Sequence, residues 1–513
     1  MSRRSAVSNG WNCSRPPSNV STSSPANWSI WRFAVLAKRK SRGMKIPKGR
    51  PETAVPKQLR SFLLFGLFLF FIFLTGGASR SEVMSLPFLR GVSALVIGFA
   101  LVGISRDELQ SVRQPLTLCG LMAVLITLQL VPLPPAVWST LPGRAPLLDT
   151  YAALGTEPGW RPLNMVPYLG WNSLLSLVVP FAALLVFARL HWLDRRRILL
   201  VIGAITLVSA VLAVIQISGE PGGAFYLYAI TNPTTGVGLF ANRNHQGFLL
   251  AATIPILVAC WQLSRGNNGF PRIHISVVAG LVAFLFVLLM ATGSRAALLL
   301  GGGGLIVALM LVEPSARILT IGKKGRQRRI DLRIAVPVAA IILAGMLTLL
   351  TGRTEAVNRL AGQSFDDELR FALWQPIGEM LRASFPFGFG VGTFAEMYRW
   401  FEPEPLLRLS YVNQAHNDLF DLFLSFGLLG TLPLVFGLFF WFRALPGAMH
   451  GATPDDPFDD LLMRRLGLLL ILILAAASLV DYPLRIPSLV TLFMLAMAWA
   501  SGAASKPIND PGR

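Results

Sequence analysis

Five short stretches of this chain hold side chains able to do chemistry, and each lies at the edge of a long apolar run or between two of them. Asn242-Arg243-Asn244-His245 sets four hydrogen-bonding side chains in a row just before such a run. A helix cap uses one of them, and an arginine there can snorkel to headgroups. Four in succession exceed both needs. Thr292-Gly293-Ser294-Arg295 joins two apolar runs through a few residues. Arg295 must therefore lie at or just inside the membrane surface, as an interface anchor or facing a polar cavity, because an unpaired charge is costly there. Arg370 follows Asp366, Asp367 and Glu368, and reads as part of a solvated charged face or as a third functional cation. Gln414-Ala415-His416-Asn417-Asp418 opens another apolar run, with ten residues between His416 and Gly427. A histidine there can cap or pack, or it can take a proton from a hydroxyl near pH 7. Phe387-Gly388-Phe389-Gly390-Val391-Gly392 has the glycine spacing of a dinucleotide loop, but it follows Pro386 rather than a strand. A glycine turn that lets backbone approach a partner closely fits better.

These stretches point to one kind of chemistry. Arginines at a membrane surface suit a diphosphate, through forked and charge-assisted hydrogen bonds. A lipid-linked diphosphate sugar carries its leaving group at that depth, and arginines that stabilise the departing diphosphate lower the barrier where charge develops. Transfer then needs an acceptor hydroxyl and a base. No set of metal ligands is visible on that side, so charge stabilisation is assigned to arginine, with no metal and no cofactor. The cysteines form no disulfide or metal pattern: Cys119 and Cys260 lie inside apolar segments as packing residues, and Cys13 lies near the start of the chain.

The elements that must position these residues follow from composition. Of 513 residues, 53% are hydrophobic and 14% charged, with a mean hydropathy of +0.57. A soluble domain carries about 25% charged residues. Only a bilayer can cover this much apolar surface, and the uninterrupted runs are helical rather than alternating as in a barrel. The expected fold is an all-α polytopic membrane protein of about twelve spans. The spans fall near 61–78, 86–104, 114–132, 171–188, 198–217, 247–264, 275–291, 296–312, 334–351, 417–442, 466–480 and 486–502. Residues 1–60 are a basic, Ser- and Pro-rich tail, readable also as a transit peptide or as a start placed upstream of Met44. Residues 504–513 form a short C-terminal tail.

The net charge of +20 suggests nucleic acid until its placement is considered. Arg195-Arg196-Arg197, the cluster Lys323, Lys324, Arg326, Arg328 and Arg329, and Arg464-Arg465 occupy loops that alternate onto one face. That is the bias of a cytoplasmic face, so membrane lipids rather than nucleic acid are the expected surroundings, with both termini cytoplasmic. The opposite loops, 133–170, 218–246 and 352–416, then face outward with His245 and His416. The longest, 352–416, is expected to carry an amphipathic helix over 366–383, with Leu369, Ala372, Leu373, Ile377, Met380 and Leu381 on one side and Pro376 kinking it or starting a second helix. The run Gly301–Gly304 reads as close helix packing.

Over roughly 200–490 the chain resembles the O-antigen ligase and O-antigen polymerase family of bacterial envelope proteins. The resemblance rests on Asn242-Arg243-Asn244-His245, Gly293-Ser294-Arg295, Arg370…Trp374…Pro386…Gly388-x-Gly390-x-Gly392, His416-Asn417 with Gly427, and Asp481-Tyr482-Pro483-Leu484. It implies a GT-C-like glycosyltransferase domain spanning 61–503, with 352–416 as one long periplasmic loop in the inner membrane. It implies transfer of a glycan from undecaprenyl diphosphate, with inversion and without metal. The acceptor is lipid A–core sugar in the ligases and another lipid-linked repeat unit in the polymerases. By the same resemblance His416 is the base and Arg243, Arg295 and Arg370 hold the diphosphate, with His245, Asn417 and Asn242 as further candidates. The ligases carry Leu four residues after the loop arginine; here Trp374 follows Arg370, and the pattern recurs instead from Arg295 to Leu299. Ligase and polymerase both stay open. A transporter or lipid-glycan flippase would need charges lining a path at the membrane midplane, and a scaffold would tolerate replacement of the outer Arg and His.

Overall fold

The computed structural model describes residues 57–266, 269–312, 318–321, 328–331, 372–407, 411–453 and 457–505. The expected span 334–351, the two tails apart from residues 57–60 and 504–505, and the start of the expected amphipathic helix all lie outside the described residues. The described chain is mainly helical. It opens with α1 (Lys57–Thr75), α2 (Ser85–Leu101), α3 (Arg106–Ser111) and α4 (Arg113–Leu130). The next loop holds α5 (Pro135–Trp138), α6 (Ala145–Ala153) and a two-residue antiparallel pairing, β1 (Pro132–Leu133) with β2 (Arg161–Pro162). Then come α7 (Pro167–Ser176), α8 (Val178–Ala188), α9 (Trp192–Ser218), α10 (Arg243–Arg265), α11 (Ile275–Thr292) and α12 (Arg295–Leu311). A hairpin of β3 (Ile318–Ile321) and β4 (Arg328–Asp331) follows, with Ile318 opposite Asp331. The rest comprises α13 (Trp374–Ser384), α14 (Phe394–Tyr398), α15 (Asp418–Phe426), α16 (Thr431–Met449), α17 (Phe458–Ala477) and α18 (Pro487–Ala500).

Seven of the described helical stretches are long and apolar enough to cross a membrane, and α2, α12 and α18 are shorter apolar helices. The segment expected over 171–188 is two helices, α7 and α8, and the one over 417–442 is α15, a short 3-10 turn at Gly427–Gly430, and α16. In α17 the charges Asp459, Asp460, Arg464 and Arg465 precede its apolar part.

The centre of the bundle is α10, whose apolar window is 94% buried. It packs against α9, α11, α12 and α17. From Phe248 to Trp261 only Thr253 is polar, so this encircled stretch is apolar on all sides. Two of the four glycines in the Gly301–Gly304 run explain the closeness of α12: a Cβ on Gly301 would come 2.7 Å from Leu289 Cδ1, and one on Gly304 3.0 Å from Ile473 Cδ1. Open space faces Gly303.

The basic loops do more than mark a face. Arg195 and Arg196 are buried. Arg195 donates from Nε to Leu190 O at 2.9 Å and from Nη1 to Ala503 O at 2.6 Å. Arg196 donates from Nε to Ala504 O at 2.9 Å and forms ion pairs with Asp460 and Asp459. Arg465 donates to Ala448 O and His450 O. Each guanidinium thus meets carbonyls at a helix C-terminus, where the macrodipole favours a cation. His191 and His274 cap α9 and α11, their Nδ1 atoms accepting from Leu193 N and Ser276 N.

At the end of the bundle where α10 begins, the segments 131–166, 373–407 and 411–415 form a cap with its own small core, including Trp138, Met165, Ile377, Met380, Phe389 and Phe394. Leu373, Ile377 and Met380 are buried as the amphipathic pattern requires, and Pro376 lies in the first turn of α13, so it starts this helix rather than kinking it. Arg144 is fully buried and staples the cap, donating to Pro142 O at 2.8 Å and Leu163 O at 2.7 Å. Burial pulls its pKa down to about 10, so it stays charged at neutral pH.

The glycine-rich segment is the hinge between cap and bundle. Gly388, Gly390 and Gly392 have φ of 76°, 104° and 82°, a region closed to ordinary side chains. Phe389 N donates to Leu424 O at 2.8 Å and Gly390 N to Ser425 O at 3.1 Å, so the segment lies directly on the C-terminus of α15. The partner it approaches is this chain's own backbone. Gly427 closes α15 at φ 54°, ψ −134°, and a Cβ there would overlap the Pro386 carbonyl. The spacing from His416 to Gly427 is therefore the length of one short helix, with the histidine at its start. Gly427→Ala should cost about 1–3 kcal/mol in backbone strain alone. A drop in the thermal unfolding temperature in detergent would register it, whereas an unchanged temperature would mean the turn relaxes freely.

Candidate active site

Each residue of Asn242-Arg243-Asn244-His245 has a separate task. Asn242 caps α10, its side chain accepting from Asn244 N at 2.8 Å. Arg243 begins the helix and lines a cavity of about 360 Å³. Asn244 Nδ2 donates to Asp481 Oδ2 at 2.6 Å. His245 Nε2 lies 3.8 Å from Asp481 Oδ1. The second expected stretch reaches the same carboxylate: His416 Nδ1 lies 3.5 Å from Asp481 Oδ1. Asp481 is fully buried and also accepts from Tyr482 N at 3.0 Å. The Tyr482 ring meets both imidazoles edge-on, at 4.9 Å to His245 and 5.2 Å to His416. Two histidines far apart in sequence thus share one acid.

They are not equivalent. The His245 side chain is 2% exposed and that of His416 28%. Both line the cavity, and His416 is the one a reactant can reach. Its backbone is the only non-glycine at positive φ among the described residues, at 50°. Such strain persists where the surroundings over-determine it. Here Asn417 caps α15, its Oδ1 accepting from Leu419 N and Phe420 N while its Nδ2 donates to Leu479 O at 2.7 Å. Asp418 N donates to Ser478 O at 2.8 Å and to Asp481 O at 3.2 Å. Ser478 Oγ and Leu484 N donate to Asp418 Oδ2. Arg485 Nε is 2.8 Å from Asp421 Oδ2 and 3.9 Å from Asp418 Oδ1. The start of α15 is thereby fixed to the turn 478–485, which holds His416 beside Asp481.

The cations gather less completely. Arg243 lines the cavity. Gly293, at φ 67°, makes the tight turn between α11 and α12, and a Cβ there would lie 3.9 Å from Arg243 Nη1. The Thr292–Arg295 turn therefore adjoins the Arg243 guanidinium, with Ser294 capping α12. Arg295 is half-buried next to this turn and is not among the residues lining the cavity. Arg370 lies outside the described residues. Asn417 acts behind the cavity rather than in its wall.

Several lining residues were not singled out in the sequence. Arg80 follows α1 and lines the cavity, its guanidinium 4.9 Å over the Tyr411 ring. Tyr411 Oη donates to Glu82 Oε1 at 2.8 Å, and Arg80 Nη1 is 3.6 Å from the same oxygen. The signal was there: Gly76-Gly77-Ala78-Ser79-Arg80 ends one apolar run as Gly293-Ser294-Arg295 ends another. Asp481 was part of a recognised stretch but had no role, although an acid at the end of an apolar helix needs a partner. Asn232, Asn413, Thr231 and Tyr398 also line the cavity. Burial and Glu402 push the Tyr398 hydroxyl up to about 12, so it keeps its proton.

Such an arrangement can hold an anion at Arg243 and Arg80 and take a proton at His416. A family model described as O-antigen ligase matches residues 279–435. No curated protein matches the chain. The matched region contains the Gly293–Arg295 turn, the glycine hinge and His416, and stops short of Asp481.

Proposed function

From a chain that belongs, through residues 279–435, to the O-antigen ligase family, we infer a membrane glycan transferase that takes its glycan from undecaprenyl diphosphate and hands it to a sugar hydroxyl at the periplasmic face of the inner membrane. The observation that carries this reading is the shared carboxylate: Asp481 beside His416, in a cavity walled by Arg243 and Arg80. Asp481 Oδ1, 3.5 Å from Nδ1, favours the tautomer that carries its proton on Nδ1, which leaves the Nε2 lone pair for the acceptor hydroxyl. As the acceptor oxygen bonds to the anomeric carbon, its proton passes to Nε2. The bond from that carbon to the diphosphate breaks, and the diphosphate leaves with the electron pair. Arg243 and Arg80 stabilise the charge that develops on it, with Arg295 supporting from the adjacent turn. Asp481 then stabilises the imidazolium.

A transporter reading is supported less well, because Arg80, Arg243, His245 and His416 line one cavity at one end of the bundle rather than a path through it. Ligase and polymerase differ in what a gene deletion leaves behind. Long glycan chains accumulating on the carrier lipid indicate a ligase, and single repeat units indicate a polymerase. Unchanged surface and carrier-linked glycans in the deletion strain would remove the transferase reading. Arg243→Lys is expected to lower transfer by tenfold or more, because a point charge cannot reproduce the guanidinium fork on a diphosphate. Wild-type turnover with lysine at this position would make Arg243 an anchor.

A further inference from the structure

The cavity has a second, uncharged wall. Tyr398 is 1% exposed, and among the described residues its buried hydroxyl has no hydrogen-bond partner. Thr231 Oγ1 and Asn413 Nδ2 are likewise buried and unpartnered among the described residues. All three residues line the cavity that holds His416 and Arg243, and they come from three separate segments: the loop before α10, the end of α14, and the approach to α15. Buried polar groups in folded proteins are nearly always paired, so three orphans around one cavity mark places that take a partner from outside the chain, water when empty and a ligand when filled. Two of them, the hydroxyls of Thr231 and Tyr398, can donate or accept, and the amide nitrogen of Asn413 donates. None carries charge, so they suit a ligand part bearing hydroxyls rather than phosphate. Tyr398 is also held in place: its ring stacks on Phe394 at 5.5 Å with 19° between planes. A preordered aromatic hydroxyl costs little entropy on binding.

Resting on the transferase reading, we propose that Thr231, Tyr398 and Asn413 form a sugar-reading subsite that hydrogen-bonds the hydroxyls of one pyranose ring beside the reacting carbon, while Arg243 and Arg80 take the diphosphate. The cavity thereby divides its work. The cationic wall binds what all carrier-linked glycans share, and the neutral wall reads which sugar is presented. A site built to pair with hydroxyls rejects a ring that lacks them, because its own groups then stay buried and unpaired.

The ring could belong to the carrier-linked glycan or to the lipid A–core acceptor, and binding separates the two. The full chain in lipid nanodiscs is titrated with bare undecaprenyl diphosphate, with the carrier-linked glycan extracted from a host lacking the gene, and with lipid A–core from that host. Tyr398→Phe, Thr231→Val and Asn413→Ala are expected to weaken one of the two sugar ligands about tenfold each, as the loss of a neutral hydrogen bond worth roughly 1 kcal/mol or slightly more implies. Bare undecaprenyl diphosphate should bind all three variants within twofold of wild type, which also shows that they fold. The weakened ligand identifies the ring. Wild-type affinity of all three variants for both sugar ligands would overturn the subsite. Absence of any binding of bare undecaprenyl diphosphate to the wild-type chain would instead overturn the transferase reading on which it rests.

Discussion

Replacing His416 with asparagine should leave the protein folded in the membrane and reduce glycan transfer by about 10²–10⁴-fold, the range by which a positioned general base accelerates proton transfer. Asparagine is the informative substitution because of the backbone. His416 sits at φ 50°, a region that costs alanine strain but that asparagine visits readily. An inactive alanine variant would leave strain and lost chemistry confounded. With asparagine, the caps from Asn417 and the bonds from Asp418 N to Ser478 O and Asp481 O keep their geometry. His245 should not substitute for the missing base, because its side chain is 2% exposed against 28% for His416. Protein amount in the membrane and surface polysaccharide are the two measurements. Normal polysaccharide at normal protein level would strip His416 of its role and leave the Asp481 cluster a structural one.

The helices were legible because a run of about twenty apolar residues has few alternatives in a bilayer. The expected starts of α10, α11 and α12 fall within four residues of those observed. Breaks inside helical stretches were harder to read. The interruption at Gly427 follows from the approach of the Pro386 carbonyl, a tertiary contact that no local pattern announces. The site divides in the same way. That Arg243, His245 and His416 are polar residues at the edges of apolar runs is a one-dimensional fact. That both histidines meet Asp481, from a third segment, depends on joining the starts of α10 and α15 to the turn after α17. The basic triplet Arg195-Arg196-Arg197 gave the expected orientation by its charge, yet two of its members are buried against the carbonyls of Leu190, Ala503 and Ala504. Charge counting cannot tell a solvated loop from a buried staple.

Removing Arg485 should do more damage than removing any cavity residue, by a different route. Arg485 lies 2.8 Å from Asp421, whose side chain is 3% exposed, and 3.9 Å from Asp418, at 12%. Arg485→Ala would leave two carboxylates close together, shielded from water and without their cation. Breaking a buried pair in this way costs about 3–5 kcal/mol, because the remaining charge is stranded rather than merely unpaired. The damage should appear where the stranded acids sit, at the contact between the start of α15 and the turn 478–485. That contact carries Asp481 and His416, so activity and stability should fall together. The same logic predicts its repair. Asp418→Asn and Asp421→Asn added to Arg485→Ala remove the stranded charges while keeping at position 418 an amide oxygen that still accepts from Ser478 Oγ and Leu484 N. The triple variant should recover most of the unfolding temperature lost by the single one, and with it part of the transfer activity. An Arg485→Ala protein as stable as wild type would show that water or bound protons relieve the two acids. A triple variant no better than the single one would show that Arg485 acts through its shape, by packing along α15, rather than through its charge.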